Sequence, residues 1–130
     1  MSNALSFHNK AGIFPPGLPL SECAQVGNLL FLSGQLGLVP GNMKLVTGGM
    51  AAEAKQALEN IKAILESSGS SLKQVVRCSV MLADIGEWAA FNEVYKSYFP
   101  TAPQPARSAF GVSLAMGARV EIECIAVTAN

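Results

Sequence analysis

The chain has 130 residues, 50% of them hydrophobic and only 14% charged, and its nine basic residues balance nine acidic ones. This size supports one core, so residues 1–130 are expected to form a single domain. The composition excludes intrinsic disorder, which needs low hydrophobicity and high net charge, and argues against an electrostatic nucleic-acid binder, which needs a basic excess on one face.

In chain order, residues 11–19 (AGIFPPGLP) hold three prolines and two glycines and predict an irregular segment. The preceding MSNALSFHNK has no basic flank followed by an apolar stretch, so no secretory signal is expected, and His8 is placed in a mobile terminus. Cys23–Val26 and Asn28–Ser33 predict two strands joined by a tight turn at Gly27–Asn28. Residues 37–49 are glycine-rich and read as loop, with room for a short strand at Lys44–Val46. Over residues 50–68, Ala54, Ala57, Leu58, Ile61, Ile64 and Leu65 recur at helical spacing, with Glu53, Gln56, Glu59, Asn60, Lys62 and Glu66 on a polar face. Gly69 suits the cap that ends this helix. Val75–Leu82 is rich in β-branched residues and predicts a strand. A second helix runs from about Gly86 to Phe99, opened by an Asp84/Glu87 capping pair and striped with Trp88, Phe91, Tyr95 and Phe99. The stripe reads as core. Ala106–Leu114 and Arg119–Thr128 are the closing strands.

Two helices that each join parallel strands by right-handed crossovers lie on one face of a single sheet. The expected fold is therefore α+β in two layers, one mixed β-sheet with two helices packed on one face. The strands read as apolar on both faces, as in VEIECIAV, and so few charges cannot cover a small domain. Both features predict a homo-oligomer that buries the second face. No run of about eighteen apolar residues is present, so no membrane partner is expected. Cys23, Cys78 and Cys124 lack metal or disulfide spacing and read as reduced, buried thiols in the cytoplasm.

Few residues carry chemistry. Arg107, in QPARSAF at a strand start, keeps its proton and needs an anion, either a ligand carboxylate or a structural Asp or Glu. Glu121 and Glu123 share one face of the last strand. They read as a general acid/base held near Arg107 across a hairpin, or as rim residues facing solvent or Arg119. Ser33-Gly34-Gln35 permits close approach of a ligand, or marks a β-bulge. Asn92 reads as a ligand contact or as a helix–loop staple. A lone histidine assembles no nucleophilic triad, no Cys/His spacing suits zinc, and no glycine-rich phosphate loop is present.

Ser33-Gly34-Gln35, Phe91-Asn92-x-x-Tyr95, Pro105-Ala106-Arg107-Ser108 and Val120-Glu121-Ile122-Glu123-x-Ile125-Ala126-Val127 occur in that order. Together they resemble the RidA/YjgF family of reactive-intermediate deaminases, also called endoribonuclease L-PSP-like, from about Pro19 to Val127. The resemblance implies a chorismate-mutase-like fold and a homotrimer with clefts between subunits. It implies hydrolysis of 2-imino acids or enamines to 2-keto acids and ammonia. Arg107 then matches the arginine that grips the substrate carboxylate, and Glu121 the carboxylate that positions and activates water. Ser33, Gly34 and Asn92 match cleft positions. An imine is already electrophilic, so no cofactor is implied. Three departures stand out. Leu20 replaces the family's cleft tyrosine, and Ala109 a frequent cysteine, though its backbone carbonyl is retained. The loop after Leu114 is one residue shorter. These departures suit an apolar pocket for bulkier imines, or a non-catalytic module that binds keto or imino acids. RNA cleavage, a label some relatives carry, is disfavoured by zero net charge and a single N-terminal histidine.

Overall fold

A computed structural model describes residues 4–128. Its strands are β1 (Leu5–His8), β2 (Cys23–Val26), β3 (Leu29–Leu32), β4 (Val75–Leu82), β5 (Ala106–Gly111) and β6 (Val120–Val127). Its helices are α1 (Gly49–Ser67) and α2 (Trp88–Tyr98). The strands form one sheet in the order β1-β2-β3-β6-β4-β5, antiparallel throughout except for the parallel β4–β5 pair. Both helices cover the same side, as the crossover argument requires, and the domain is an α+β two-layer fold. No helix among the described residues is long and apolar enough to cross a membrane.

The core forms where the helical stripe meets the alternating strands. Ala54, Ala57, Leu58, Ile61, Ile64 and Leu65 of α1 are fully buried against Val80, Leu82, Val120, Ile122 and Ala126. Each fully buried Leu or Ile contributes about 1.5–3 kcal/mol relative to exposure. Helix α1 stops where Gly69 takes φ 79°, a left-handed conformation that other residues adopt with strain. This reversal lets Ser70 N–H donate to Leu65 O at 2.8 Å.

Several expectations change on contact with the structure. His8 is ordered in edge strand β1, where its Nε2 lies 2.7 Å from Gln25 Oε1. Lys44–Val46 forms no strand, only a single bridge between Leu38 and Leu45. The fifth strand ends at Gly111 instead of Leu114, because β4, its one neighbour, ends at Leu82. Asp84 caps a 3-10 turn over Ile85–Glu87, accepting from Gly86 N–H at 2.8 Å, while Glu87 turns away to pair with Arg119 at 2.9 Å. Glu53 and Asn60, assigned to a polar helix face, are 6% and 1% exposed. The chain after β3 crosses that side of α1 and supplies the partner of Asn60, and the segment before β6 supplies that of Glu53. Asn60 Nδ2 donates to Leu38 O at 3.0 Å, and Glu53 Oε1 accepts from Arg119 N–H at 2.8 Å.

The uncovered face is less uniform than an all-apolar reading suggests. The β1–β3 end exposes Leu5, Phe7, Val26, Leu29 and Phe31. The β4–β6 end presents Arg77, Ser79, Glu121 and Glu123 instead. Only alternate residues of VEIECIAV, namely Val120, Ile122, Cys124 and Ala126, point into the core.

Candidate functional site

Arg107 lies on the helix side of edge strand β5, opposite Cys78 in register. Its guanidinium carbon sits 4.7 Å from the Tyr95 ring centroid, 5.8 Å from Phe91 and 5.9 Å from Trp88. Cation–π attraction of about 0.5–2 kcal/mol per ring holds the cation without neutralising it. No carboxylate among the described residues pairs with it, so the structural ion pair left open by the sequence is not formed. The aromatic stripe is thus core at Phe91, Tyr95 and Phe99, while Trp88 is half exposed at the edge of the cradle. Asn92 shares this helix face by its spacing, and its Oδ1 is buried without a hydrogen-bond partner. No helix–loop staple through this oxygen forms among the described residues. Ala109 follows Arg107 by two residues on the same strand face and packs against the core.

A second group forms around the end of β3. Ser33 Oγ donates to Ser21 O at 2.6 Å, tying it to the loop that carries Leu20, which is 45% exposed. Gly34 lets the Glu121 carboxylate approach the backbone closely, and a Cβ there would displace that side chain. The bulge reading also holds. From Phe31 to Gln35 is four steps along the chain, yet their partners Ile125 and Ile122 are three apart. One extra residue is therefore accommodated at Ser33-Gly34. Gln35 resumes pairing through two backbone bonds to Ile122, at 2.8 and 3.0 Å. Burial pushes the Glu121 carboxyl above its ordinary range, and the negative charge of Glu123 adds to the shift.

Arg107 and Glu121 do not meet across a hairpin. Strand β4 separates β5 from β6, and Glu121 is in register with Met81, which pairs with Phe110. Arg107 is thus three residues along and two strands across from Glu121, about 14 Å between Cα atoms by ordinary strand spacings. The odd offset also puts them on opposite faces of the sheet. One chain presents two separate groups of the residues singled out by the sequence: Arg107, Asn92 and Ala109 on one face, and Ser33, Gly34, Glu121 and the Leu20 loop at the other. Sequence reasoning named these residues but missed the cradle, because an aromatic stripe at helical spacing looks the same whether or not a cation lies on it.

The profile of the endoribonuclease L-PSP family matches residues 14–128. The chain belongs to this family, the RidA/YjgF family. It is similar to the 2-iminobutanoate/2-iminopropanoate deaminase of Mus musculus, at 46% identity over 110 residues, covering 84% of this chain and 81% of that protein. It is also similar to Protein DfrA of Myxococcus xanthus, at 47% identity over 113 residues, covering 85% and 86%. Among solved structures, RidA from the Antarctic bacterium Psychrobacter superposes with a TM-score of 0.82 at 42% identity, covering 89% of this chain and 94% of that one. The RidA/YjgF fold expected from the sequence motifs is the fold observed.

Proposed function

We propose that this protein hydrolyses reactive 2-imino acids, or their enamine tautomers, to 2-keto acids and ammonia, in the cytoplasm, in pockets shared between subunits of a homotrimer. The observation that carries the reading is Arg107, a half-buried guanidinium held by three rings with no carboxylate partner among the described residues. Its fork suits a substrate carboxylate bidentately. The name of the mouse relative supports the reaction class. Opposite placement of Arg107 and Glu121 supports the shared pocket, because one small substrate cannot reach both groups of a single chain.

In this mechanism Arg107 of one subunit binds the carboxylate, and the unpartnered Asn92 oxygen accepts from the imine N–H. Glu121 of the neighbouring subunit orients water and takes its proton as the oxygen adds to carbon 2. A carboxyl held above its ordinary range is the stronger proton acceptor. Glu121 passes that proton to the nitrogen, giving the carbinolamine. It then takes the proton of the carbinolamine hydroxyl and delivers it to nitrogen as the C=O bond forms and the C–N bond breaks, so that ammonia leaves and the 2-keto acid remains.

An imine-trapping assay tests this. An amino-acid oxidase generates imines from a panel of small to bulky amino acids in the presence of semicarbazide. The wild type should suppress semicarbazone formation. Glu121→Gln should lower kcat by about 10²–10⁴-fold while sparing keto-acid binding. Arg107→Ala should lower kcat/KM by about 10- to 100-fold, the loss of a charge-assisted pair. No suppression across the panel, with keto acids still bound, would favour the non-catalytic module and sink the deaminase reading.

A further inference from the structure

Beneath the Arg107 cradle lies a pair of thiols that the reaction does not use. Cys78 and Cys124 face each other in register across β4 and β6, with Sγ atoms 3.2 Å apart. Both are free, and they are 0% and 3% exposed. Residues directly opposite on antiparallel strands have Cα atoms about 4.5–5.5 Å apart, inside the range a disulfide spans.

The surroundings differentiate the two sulfurs. The hydrogen bond from Cys124 holds the Cys78 thiol below its ordinary range, with the Tyr95 hydroxyl and the Arg107 and Arg77 charges acting in the same direction against burial. Its contact with Cys78, then burial, push Cys124 well up. The Arg107 and Arg77 charges beside Cys78 favour it as the attacking sulfur of the pair. The pair also touches the cradle. Arg107 is the register neighbour of Cys78 on β5, and the Tyr95 ring nearest the guanidinium carries the hydroxyl beside the Cys78 sulfur.

We propose that Cys78 and Cys124 form a reversible oxidation site, in which a hydroperoxide converts the dithiol to a disulfide and closing the bond shifts the aromatic cradle of Arg107. The Cys78 thiolate attacks the peroxide oxygen, the O–O bond breaks, and a sulfenic acid forms as water leaves. Cys124 loses its proton as its sulfur attacks Cys78, and the sulfenic hydroxyl departs as a second water. One hydrogen peroxide takes two electrons from the two thiols, giving one disulfide and two waters. A dithiol reductant reverses the change. Peroxide is close to water in size and gains entry during local opening of the sheet edge. The sulfurs must close from 3.2 Å to about 2.05 Å, which moves the Cys78 sulfur relative to the Tyr95 hydroxyl. The significance of a shifted cradle rests on the proposed role of Arg107; the disulfide does not.

The test uses the full chain and no imine. After exposure to hydrogen peroxide, the protein is denatured in an alkylating agent and mapped by mass spectrometry. Two of the three cysteines should be protected, Cys23 alkylated, and a Cys78–Cys124 linked peptide recovered at a mass loss of about 2 Da, reversed by dithiothreitol. Trp88 is the sole tryptophan and flanks Arg107, so its emission should shift on oxidation and return on reduction. Cys124→Ser and Cys124→Ala should abolish both signals. Three alkylated thiols in peroxide-treated, folded protein would overturn the proposal, as would a bond through Cys23 or between chains. A Cys78–Cys124 bond with unchanged Trp88 emission would overturn the link to Arg107. The wild-type thiol count stands even where a variant fails to fold.

Discussion

Glu121 sits between two opposing demands. Burial and the neighbouring Glu123 favour its neutral form, while a proton acceptor must be ionised. Activity should therefore fall as pH drops through a carboxyl titration lying above the ordinary 4.5. The acid limb of the kcat profile should sit above that value in wild type and vanish in Glu121→Gln, leaving a low, flat rate there. A limb at or below 4.5 would remove Glu121 from the proton-transfer role. At this scale the sequence was informative about identity and poor about environment. A permanently charged Arg107 in an apolar context demanded a partner, but nothing in the residue order showed that three rings, not a carboxylate, supply its surroundings. The unpartnered oxygen of Asn92 was equally invisible, since hydrogen-bond satisfaction depends on groups distant in the chain.

The helices and strands themselves were largely legible, because period 3.6 and period 2 patterns are local. Their polar faces were not. Asn60 looked like a solvent residue of α1, yet it donates to Leu38 O and accepts from Gln56 Nε2 at 2.8 Å. It anchors the chain that follows β3. Asn60→Ala should destabilise the protein by about 1–3 kcal/mol, the penalty for stranding buried carbonyls, measured by urea unfolding at fixed protein concentration. A change below a few tenths would mean that the crossing segment is held by other contacts. The edge strand β1 escaped notice for a related reason. Four residues ending in a histidine carry too weak an alternation to read alone, and β2 supplies the template that orders them.

At the scale of the whole molecule, the apolar end of the open sheet face accounts for a composition too poor in charge to cover a lone domain. Phe31, 41% exposed near its centre, would anchor the subunit contact of the proposed trimer. Sedimentation should give a particle of about three times 13.6 kDa, and Phe31→Glu should dissociate it and abolish deamination together. Monomers that retain full turnover would refute the shared pocket. Composition prompts the expectation of an oligomer, whereas the separation of Arg107 from Glu121 was not legible in it, because it depends on β4 intervening between β5 and β6. That separation has a genetic consequence. In the proposed trimer each chain lends its arginine to one pocket and its glutamate to another, so two inactive variants should rescue each other. Trimers reassembled from equal amounts of Arg107→Ala and Glu121→Gln chains should regain about a quarter of wild-type pockets, by random pairing around the ring. In such a trimer a defect in one copy would be felt in a pocket it shares with its neighbour, and activity would belong to the junctions between chains.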